Sequence, residues 1–403
     1  MRLLFLTPQL PYPPQKGTAL RNWGLIQGLA ERHDVSLLSF HEPGRSLDLA
    51  PRLTAVCERV VTVPRPERSR YERLWDILST RKPDMALRLA SQAFDRALRD
   101  WLTEKSFDVI QIEGIELAPY LDAVQDAHQD ALVVFDDHNC EYLLQQRTFL
   151  TDLYSPMLWP GAAYSFVQWQ RLRRYEADIC QRADKVLAVS KADAEALRKL
   201  LPDLDVTVVP NGIDTKAYEP ASAEVDAPSS DDTLVFTGTM DFRPNVDAVL
   251  WFAKDVLPLI QADVPNVRFL VVGQRPHRRL NPLRRHPAIT LTGWVEDVRP
   301  YFAEATVYVA PLRMGGGTRL KLLEAMAMGK AIVATSLGTE GYPVQDGREL
   351  ILADTPTSFA EGVVSLLRDK DRRADLAQTA RVFVEEQYDW HAIVPRVEKA
   401  YQG

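Results

Sequence analysis

Strand-like apolar runs alternate with helix-patterned stretches along most of this chain. The first half contains the runs RLLFLT (2–7), VSLLSF (35–40), VVTVP (60–64), FDVIQIE (107–113), ALVVFDD (131–137) and KVLAVS (185–190). Parallel strands need long crossover connections, which are usually helices, so this order predicts a doubly wound parallel sheet. The alternation therefore places the chain in the α/β class.

A polar segment separates this half from a second alternation. Residues 216–232 read KAYEPASAEVDAPSSDD, and their proline, alanine, serine and aspartate content predicts an exposed connection between domains. The strand-like runs that follow it are TLVFTG (233–238), VRFLVVG (267–273), ITLTG (289–293), ATVYVAP (305–311), AIVAT (331–335) and ELILAD (349–354). We predict two α/β domains of similar build, the first over residues 1–205 and the second over residues 206–387.

The composition suits two folded domains and gives no general attraction to polyanions. The 403 residues, of which 46% are hydrophobic, are enough for two ordinary cores. The formal net charge of -7 provides no overall field that would draw the chain to nucleic acid. We therefore expect no nucleic-acid partner.

The cysteines and the apolar segments indicate a reducing compartment and no membrane span. Cys57, Cys140 and Cys180 are isolated in sequence, which argues against a disulfide framework, a structural zinc site and a redox dithiol. The opening residues MRLLFLTPQLPYPP combine one basic residue with a short apolar run, so we interpret them as a buried strand rather than a signal peptide. No segment reaches the roughly 18 consecutive apolar residues of a membrane span. We expect a cytoplasmic protein.

A glycine run between two apolar stretches is the most distinctive local feature, in PLRMGGGTRLKLLEAMAMGKAIVAT (311–335). It follows a predicted strand and precedes a helical pattern that includes Leu320 and Leu323, with Thr318 as the predicted N-cap. Ligands of open parallel sheets bind beyond the carboxyl ends of the strands. Glycines there turn backbone N–H groups toward a ligand, and the helix start adds about half a positive charge. This pattern predicts a phosphate site.

Charged residues flank the predicted phosphate site. Arg319 and Lys321 would neutralise a diphosphate, the arginine as a bidentate fork and the lysine as a point charge. The alternative is a plain glycine turn beside solvated basic residues. Glu324 lies three residues after Lys321 and either pairs with it or accepts hydrogen bonds from ribose hydroxyls. Spacing alone leaves both roles of Glu324 open.

Several motifs in a fixed order resemble one known family. They are LPYPPQKGTALRNWGLIQGLAERHDVSLLSF near the start, DDHNCEYL (136–143), RADKVLAVSKADAEAL (182–197), VVPNGIDT (208–215), FTGTMDFRPNVDAVLWF (236–252) and GGGTRLKLLEAMAMGKAIVAT (315–335). Together they resemble the retaining glycosyltransferases of family 4, and especially bacterial exopolysaccharide-associated sugar transferases. The resemblance implies the GT-B fold, in which two Rossmann-like doubly wound domains face a central cleft.

The resemblance assigns donor-binding roles in the second domain. Glu324 matches the second glutamate of the family's paired-glutamate motif, which contacts the ribose of the donor nucleotide, whereas Gly316 occupies the place of the first glutamate. Thr239 stands where many relatives carry a phosphate-binding arginine, and Arg243 is near enough in sequence to replace it. The remaining predicted donor-binding residues of this domain are Gly238, Gly315, Gly317 and Thr318. Arg319 and Lys321 would supply the charge that stabilises the leaving diphosphate.

Two residues of the first domain are also predicted to belong to the site. His138 follows the run ALVVFDD and so should project from a strand end, and relatives carry a histidine in the equivalent loop near the reacting sugar. We predict that His138 contacts the donor sugar or the acceptor; a hydrogen-bonded structural histidine is the alternative. Gly17, beside Lys16, would let the backbone approach the donor, although a plain turn after PYPP explains it nearly as well.

The sequence predicts neither a metal site nor a cofactor beyond the donor. Asp-x-Asp occurs at 203–205 and at 369–371, and we predict exposed turns at both places. No His-Glu-x-x-His motif and no clustered His/Cys ligand set is present. The first strand is not followed by Gly-x-Gly-x-x-Gly, which disfavours a nicotinamide dehydrogenase.

The predicted activity is metal-independent transfer of a sugar from a nucleotide diphosphate sugar to an acceptor hydroxyl, with retention implied by the resemblance. The rival predictions are a sugar-nucleotide 2-epimerase of the same fold and a non-catalytic nucleotide-sugar-binding protein. The expected partners are a glycan or lipid-linked acceptor and the inner face of the cell membrane, because residues 69–83 and 166–174 mix aromatic with basic side chains. The final segment, about 388–403, resembles the helix that returns to the first domain in this fold, with Trp390 as its anchor.

Overall fold

The computed structural model describes residues 1–14, 17–42, 51–127, 130–154, 159–220, 232–315 and 319–402. They form two compact units. One consists of Met1–Asn211 together with Ile393–Gly403, and the other of Gly212–Ala392.

The first unit contains a seven-stranded parallel sheet. Its strands are β1 (Arg2–Thr7), β2 (Asp34–His41), β3 (Arg59–Pro64), β4 (Val109–Glu113), β5 (Leu132–Asp137), β6 (Lys185–Ala188) and β7 (Val206–Val208). They lie in the order β3-β2-β1-β4-β5-β6-β7, and every neighbouring pair is parallel. The order reverses between β1 and β4, which makes their carboxyl ends the switch point where such sheets bind ligands.

Helices connect these strands. They are α1 (Gly17–Ala30), α2 (Pro51–Val56), α3 (Arg70–Ser79), α4 (Asp84–Arg88), α5 (Gln92–Glu104), α6 (Leu121–Asp126), α7 (Glu141–Leu153), α8 (Trp159–Arg182) and α9 (Lys191–Leu200). A short 3-10 helix, Ile115–Tyr120, precedes α6. Local sequence explains their ends; in α9, for example, the Ser190 side chain caps the N–H of Asp193, and Arg198 and Lys199 occupy the last turn, where they favour the helix dipole.

The second unit repeats this architecture with a six-stranded parallel sheet. Its strands are β8 (Thr233–Thr237), β9 (Arg268–Val272), β10 (Ile289–Gly293), β11 (Val307–Ala310), β12 (Ala331–Ala334) and β13 (Ile351–Leu352). They lie in the order β10-β9-β8-β11-β12-β13, again with parallel neighbours. The switch point lies between β8 and β11. Both sheets confirm the prediction of two doubly wound α/β domains.

The helices of the second half complete the fold. They are α10 (Arg243–Trp251), α11 (Leu257–Asp263), α12 (Arg299–Glu304), α13 (Leu320–Ala327), α14 (Pro356–Arg368), α15 (Lys370–Tyr388) and α16 (Trp390–Gln402). A π-helical turn, Phe252–Val256, joins α10 to α11, and 3-10 helices occupy Arg278–Arg285 and Ser336–Thr339. Most of α16 belongs to the first unit. Among the residues described, no helix is both long and apolar enough to cross a membrane.

Some predicted boundaries differ from those observed. The first unit ends at Asn211 rather than at residue 205, because β7 pairs with β6 and so adds a strand to the first sheet. The connection predicted over 216–232 is not uniformly exposed, because Tyr218 is partly buried; its residues 221–231 lie outside the described part of the chain. Trp390 is itself only partly buried.

The second Asp-x-Asp sequence is not an exposed turn. Asp369 is the N-cap of α15 and accepts a hydrogen bond from the N–H of Arg372 at 2.9 Å, while Asp371 lies in the first turn of the helix. Carboxylates at a helix start are stabilised by its exposed N–H groups and by the dipole, which explains this spacing without a ligand. The prediction of a turn at 369–371 is therefore wrong, whereas Asp203 does lie in an exposed turn.

Candidate functional site

The switch point of the second sheet gathers several of the predicted site residues. Gly238 directly follows β8, and the glycine run follows β11, the neighbouring strand. Gly315 is described, with φ of 102°, whereas Gly316, Gly317 and Thr318 lie outside the described residues. Parallel strands that are adjacent end at the same edge of a sheet, so the two loops are neighbours for the reason anticipated.

Lys321 is anchored between these loops. It lies in the first turn of α13, and its Nζ donates a hydrogen bond to Oδ1 of Asn245 at 2.7 Å. The same Nζ lies 4.6 Å from the ring centroid of Phe236, a cation–π distance. Burial and, to a smaller extent, the nearby Arg319 guanidinium lower the pKa of Lys321 to about 7. The ammonium is thus fixed in position but poorly stabilised, as expected for a site that receives an anion.

Two glycines leave room for this arrangement. A Cβ atom at position 238 would lie 2.7 Å from Nδ2 of Asn245 and 2.9 Å from Nζ of Lys321. At Gly315 a Cβ would lie 3.0 Å from Pro244 and 3.2 Å from Nη2 of Arg319, and its positive φ already favours glycine. A side chain at position 238 would therefore crowd Lys321 and Asn245, and one at position 315 would crowd Pro244 and Arg319.

The start of α13 lies later than predicted. The helix begins at Leu320, so Arg319 rather than Thr318 is its N-cap residue, and the Arg319 side chain makes no capping hydrogen bond. Only 8% of Arg319 is exposed, which is unusual for an arginine. Its burial next to Gly315 is inconsistent with the alternative of a merely solvated base.

Glu324 and Lys321 bind different partners. The Tyr218 hydroxyl donates to Oε1 of Glu324 at 3.1 Å, whereas the Lys321 ammonium bonds to Asn245. Glu324 is partly buried, and burial raises its pKa above the ordinary glutamate value. The simple i,i+3 ion pair is thus not formed, and one carboxylate oxygen of Glu324 is already oriented by a hydroxyl.

Arg243 is more exposed than Lys321 and Glu324. It is the first residue of α10 and is exposed. The Asn245 side chain, two residues later, instead enters the cluster and also donates through Nδ2 to the backbone oxygen of Thr239 at 2.9 Å. The role that sequence gave to Arg243 stays a prediction.

In the first unit, His138 follows β5 at the edge of the sheet beside the switch point. Its Nε2 lies 2.6 Å from Oε2 of Glu113, the last residue of β4. Burial lowers the pKa of His138 to about 4 and raises that of Glu113 to about 7. Gly17 is the first residue of α1 and is exposed, while Lys16 lies outside the described residues.

A buried ion pair lies next to this histidine. Arg21 of α1 binds Asp136 through Nε–Oδ2 and Nη2–Oδ1 hydrogen bonds, both of 2.9 Å. Its remaining nitrogen, Nη1, donates to the backbone oxygens of Val209 and Pro210 and to Oδ1 of Asn211, at 3.0 to 3.2 Å. Arg21 therefore connects the end of β5 to the segment that follows β7. His138 projects from that end of β5.

Among the described residues of the first unit, two groups of side chains have metal-ligand spacing. Glu113, Asp136 and His138 form one, but Arg21 and the Glu113–His138 bond already engage these groups. Asp137, Cys140 and Glu176 form the other, with ligand atoms within 4.8 Å of one another. Glu176 there accepts hydrogen bonds from the N–H groups of Glu141 and Tyr142 at 2.8 and 2.9 Å, so it caps α7.

The main partners of the predicted residues were missed by the sequence analysis. They are Tyr218, Phe236 and Asn245 in the second unit, and Arg21 and Glu113 in the first. A signal existed for Glu113, because a charged residue at the carboxyl end of a buried apolar strand is rare without a partner. No comparable signal marks Asn245 or Tyr218.

Comparison with known families now gives the class of protein. A model described as "Glycosyltransferase Family 4" matches residues 16–217, and a model described as "Glycosyl transferases group 1" matches residues 231–369. The first model covers half of the chain. The two matches follow one another in the same order as the two sheets.

Curated relatives include a protein of a cps region and a mannosyltransferase. A Klebsiella pneumoniae protein named "Uncharacterized 44.6 kDa protein in cps region" is 22% identical over 403 residues, which cover 96% of each chain. The phosphatidyl-myo-inositol mannosyltransferase of Mycolicibacterium smegmatis is 27% identical over 318 residues, which cover 77% of this chain and 75% of the relative.

Solved structures share the whole fold. Sucrose-phosphate synthase from Thermosynechococcus elongatus superposes with a TM-score of 0.72 at 17% identity, covering 100% of this chain and 98% of that one. Anabaena HepE in complex with UDP and glucose gives 0.64 at 16% identity, covering 98% of both chains. These likenesses agree with the predicted GT-B fold. Because its matched family model spans half of the sequence and a second glycosyltransferase model follows it, this chain belongs to Glycosyltransferase Family 4.

Proposed function

We propose that this glycosyltransferase moves a sugar from a nucleotide diphosphate sugar to an acceptor hydroxyl, in the synthesis of exopolysaccharide or another cell-surface glycan. The observation that carries the proposal is the Lys321 ammonium, held by a neutral amide beside Gly238 at the switch point of the second sheet. A cation fixed there before the donor arrives suits a diphosphate.

The reaction breaks the bond between the anomeric carbon and the diphosphate and forms a bond from that carbon to the acceptor oxygen. The hydroxyl loses its proton, and the nucleoside diphosphate leaves with an additional negative charge. Lys321 and Arg319 would stabilise that charge, and Glu324, oriented by Tyr218, would accept hydrogen bonds from the ribose. Retention of configuration follows from the family resemblance, and no step in the proposal requires a metal ion.

The test is release of nucleoside diphosphate. Labelled nucleotide sugars are incubated with the protein, with and without a cell lipid extract as the acceptor source. We expect release that rises with acceptor, is unaffected by EDTA and falls when His138→Ala is introduced. Conversion of the sugar on an intact nucleotide would instead identify a 2-epimerase, and an unchanged donor across a broad panel would identify a binding protein. A requirement for added magnesium would exclude the metal-independent mechanism.

We also propose that the protein works in the cytoplasm, where lipid-linked acceptors would be reached at an anionic bilayer. The three cysteines are buried and unpaired, as suits a reducing compartment. Large apolar side chains are exposed on α3 and around the α7–α8 pair: Tyr71, Trp75, Leu150, Leu153, Tyr154, Trp159 and Phe166. Exposed bases accompany them at Arg81, Lys82, Arg173 and Arg174. Aromatic side chains among bases match the interface of an anionic membrane.

Flotation with anionic liposomes at low salt tests this surface. The double variant Trp75→Ala/Trp159→Ala should lose most of the bound fraction, because these indoles are 70% and 57% exposed. Trp294→Ala, in the second unit and 71% exposed, is the matched control and should bind as the parent does. Parent protein that stays at the bottom of the gradient, or equal binding by all three proteins, would contradict the membrane proposal.

A further inference from the structure

We propose that Glu113 is the positioning residue of His138, and that its carboxylate holds the imidazole as the Nε2–H tautomer so that Nδ1 presents a lone pair to a substrate hydroxyl. This inference rests on the proposed function for the identity of the hydroxyl, which belongs to the sugar or to the acceptor. The tautomer itself depends only on side chains of the first unit.

The backbone places the two side chains together. Glu113 ends β4 and lies opposite Asp136 in the register of β4 and β5. His138 follows two residues after Asp136, directly beyond the end of β5. The N–H of Gly114 donates to the oxygen of Asp136 at 3.0 Å and extends the pairing past the end of β4. The 2.6 Å contact between Nε2 and Oε2 is therefore made by elements with little freedom to move apart.

The other hydrogen bonds of Glu113 favour its ionised form. Nε2 of Gln111 donates to Oε1 at 2.5 Å. Nδ2 of Asn22, in the orientation that satisfies both of its amide atoms, donates to Oε2 at 2.7 Å. Burial raises the pKa of Glu113 to about 7, but N–H donors stabilise a carboxylate, and the positive charge of Arg21 and the hydrogen bond from Gln111 lower this pKa, so Glu113 is mostly ionised above neutral pH. An ionised Glu113 can only accept, so Nε2 of His138 must carry the proton.

Tyr401 fixes the direction of this network. Its hydroxyl donates to Oε1 of Gln111, which leaves the Gln111 nitrogen to face Glu113. Tyr401 lies on α16, the helix that follows the second sheet in sequence and packs on the first unit. The orientation of His138 is thus set through three buried side chains, Tyr401, Gln111 and Glu113, of which Glu113 contacts the imidazole.

The other edge of the imidazole is the one available to a ligand. Nδ1 has no hydrogen-bond partner among the described residues, and 12% of the His138 side chain is exposed, compared with none of Glu113. The ring edge lies over Gly114, where a Cβ would be 3.5 Å from Nδ1 and 3.9 Å from Cε1. With φ of 87°, Gly114 also has a backbone conformation that other residues rarely adopt. A proton that moved to Nδ1 would produce an imidazolium stabilised by the Glu113 carboxylate.

Nitrogen-15 NMR of the histidine side chains tests the tautomer without an activity assay. The His138 signals are identified by their loss in His138→Gln. In the parent we expect a protonated Nε2 and an unprotonated Nδ1 at pH 8, where Glu113 is mostly ionised, and in Glu113→Ala a mixture of tautomers. The control is Glu398→Gln: Glu398 binds Nε2 of His33 at 2.9 Å in the same unit, so this variant should change His33 and leave His138 unaffected. An Nδ1–H tautomer in the parent would overturn the inference.

Kinetics separate this inference from the proposed function. If sugar transfer is found, Glu113→Ala should lower kcat roughly tenfold or more with little change in KM for the donor, and Glu113→Gln should restore part of the loss. An active enzyme whose kcat is unchanged in Glu113→Ala would overturn the positioning role and leave the proposed function intact. An inactive parent with the Nε2–H tautomer would contradict the proposed function and leave the Glu113–His138 geometry established.

Discussion

Lys321 donates to Asn245 at 2.7 Å, and Asn245 in turn donates to the backbone oxygen of Thr239 at 2.9 Å. The asparagine thus ties the ammonium to the loop after β8. Its amide oxygen is neutral, so it orients the positive charge without cancelling it, as a carboxylate would. An ammonium that is fixed by a neutral amide, beside a glycine that leaves backbone room, is the main structural argument for a phosphate ligand.

Replacing this amide by a carboxylate should weaken diphosphate binding. In Asn245→Asp the new charge would pair with Lys321, raise its pKa and repel the ligand, and we expect the Kd for a nucleoside diphosphate to rise by about tenfold or more, or ~1.4 kcal/mol. Isothermal titration calorimetry with UDP and GDP measures this. Asn281→Asp, on the exposed 3-10 helix Arg278–Arg285, is the control and should bind as the parent does. Equal affinity in Asn245→Asp would argue against phosphate contact at Lys321.

Donor affinity should also depend on pH through Lys321. Because burial lowers the pKa of Lys321 to about 7, the free protein loses this cation as the pH rises through that value. A bound diphosphate would restore the charge, so binding takes up a proton. The Kd for a nucleotide sugar, whose phosphates stay ionised throughout, should rise about tenfold from pH 6 to pH 8.

The variant Lys321→Gln should bind weakly at both pH values, with no such slope. Calorimetry in buffers of different ionisation enthalpy measures the proton uptake directly. A parent Kd that is flat across this range would show that Lys321 keeps its proton in the free protein or does not meet the ligand.

Turnover should depend on both buried cations. Arg319→Ala and Lys321→Ala each remove charge opposite the leaving diphosphate, and we expect each to lower kcat at least about tenfold, which is ~1.4 kcal/mol of barrier. Thermal unfolding should show little loss of stability in either variant. Arg243→Ala is the comparison, because this exposed residue was predicted to share the role. An equal loss of kcat in Arg243→Ala would show that Arg243 also stabilises the leaving diphosphate. Parent-like turnover in Arg319→Ala would show that Arg319 does not.

The sequence predicts the parts of the site that depend on strand order. Gly238 and Gly315 follow strands that alternate with helices, and such strands end at one edge of the sheet. Lys321 follows from helical spacing after the glycine run. These are local features, and each is visible within about ten residues of sequence.

The partners that orient these residues depend on long-range packing. Asn245 and Lys321 are 76 residues apart in sequence, and Tyr218 and Glu324 are 106 apart. No periodicity specifies such pairs, since they result from how two loops and a helix meet. Tyr218 also lies in a segment whose composition predicts exposure, yet it is partly buried and contacts Glu324.

Asp137 should make the folding free energy depend on pH. Its side chain is 1% exposed, and neither carboxylate oxygen has a hydrogen-bond partner among the described residues. Burial raises the pKa of Asp137 well above its ordinary value, and the nearby carboxylates of Glu176, Glu141 and Asp193 raise it further. The folded protein therefore retains a proton that the unfolded chain releases above about pH 4, and the free energy of unfolding must fall as the pH rises from there.

The variant Asp137→Asn isolates this effect, because an amide stays neutral at every pH. The free energy of unfolding of Asp137→Asn, relative to that of the parent, should be higher at pH 8 than at pH 5, because only the parent loses stability as its unfolded chain releases the Asp137 proton. Urea unfolding at pH 5 and pH 8 measures the free energy of unfolding of both proteins. Any effect of the new amide that does not depend on pH is the same at both values and drops out of the comparison. Glu176, whose pKa burial raises to about 8, titrates in both proteins and so contributes mainly to their common slope. Asp203→Asn, in an exposed turn, should show no such change. If Asp137→Asn and the parent differed equally at both pH values, the Asp137 carboxylate would have to be ionised in the folded protein despite its burial beside Glu176 and Glu141, which would contradict the raised pKa.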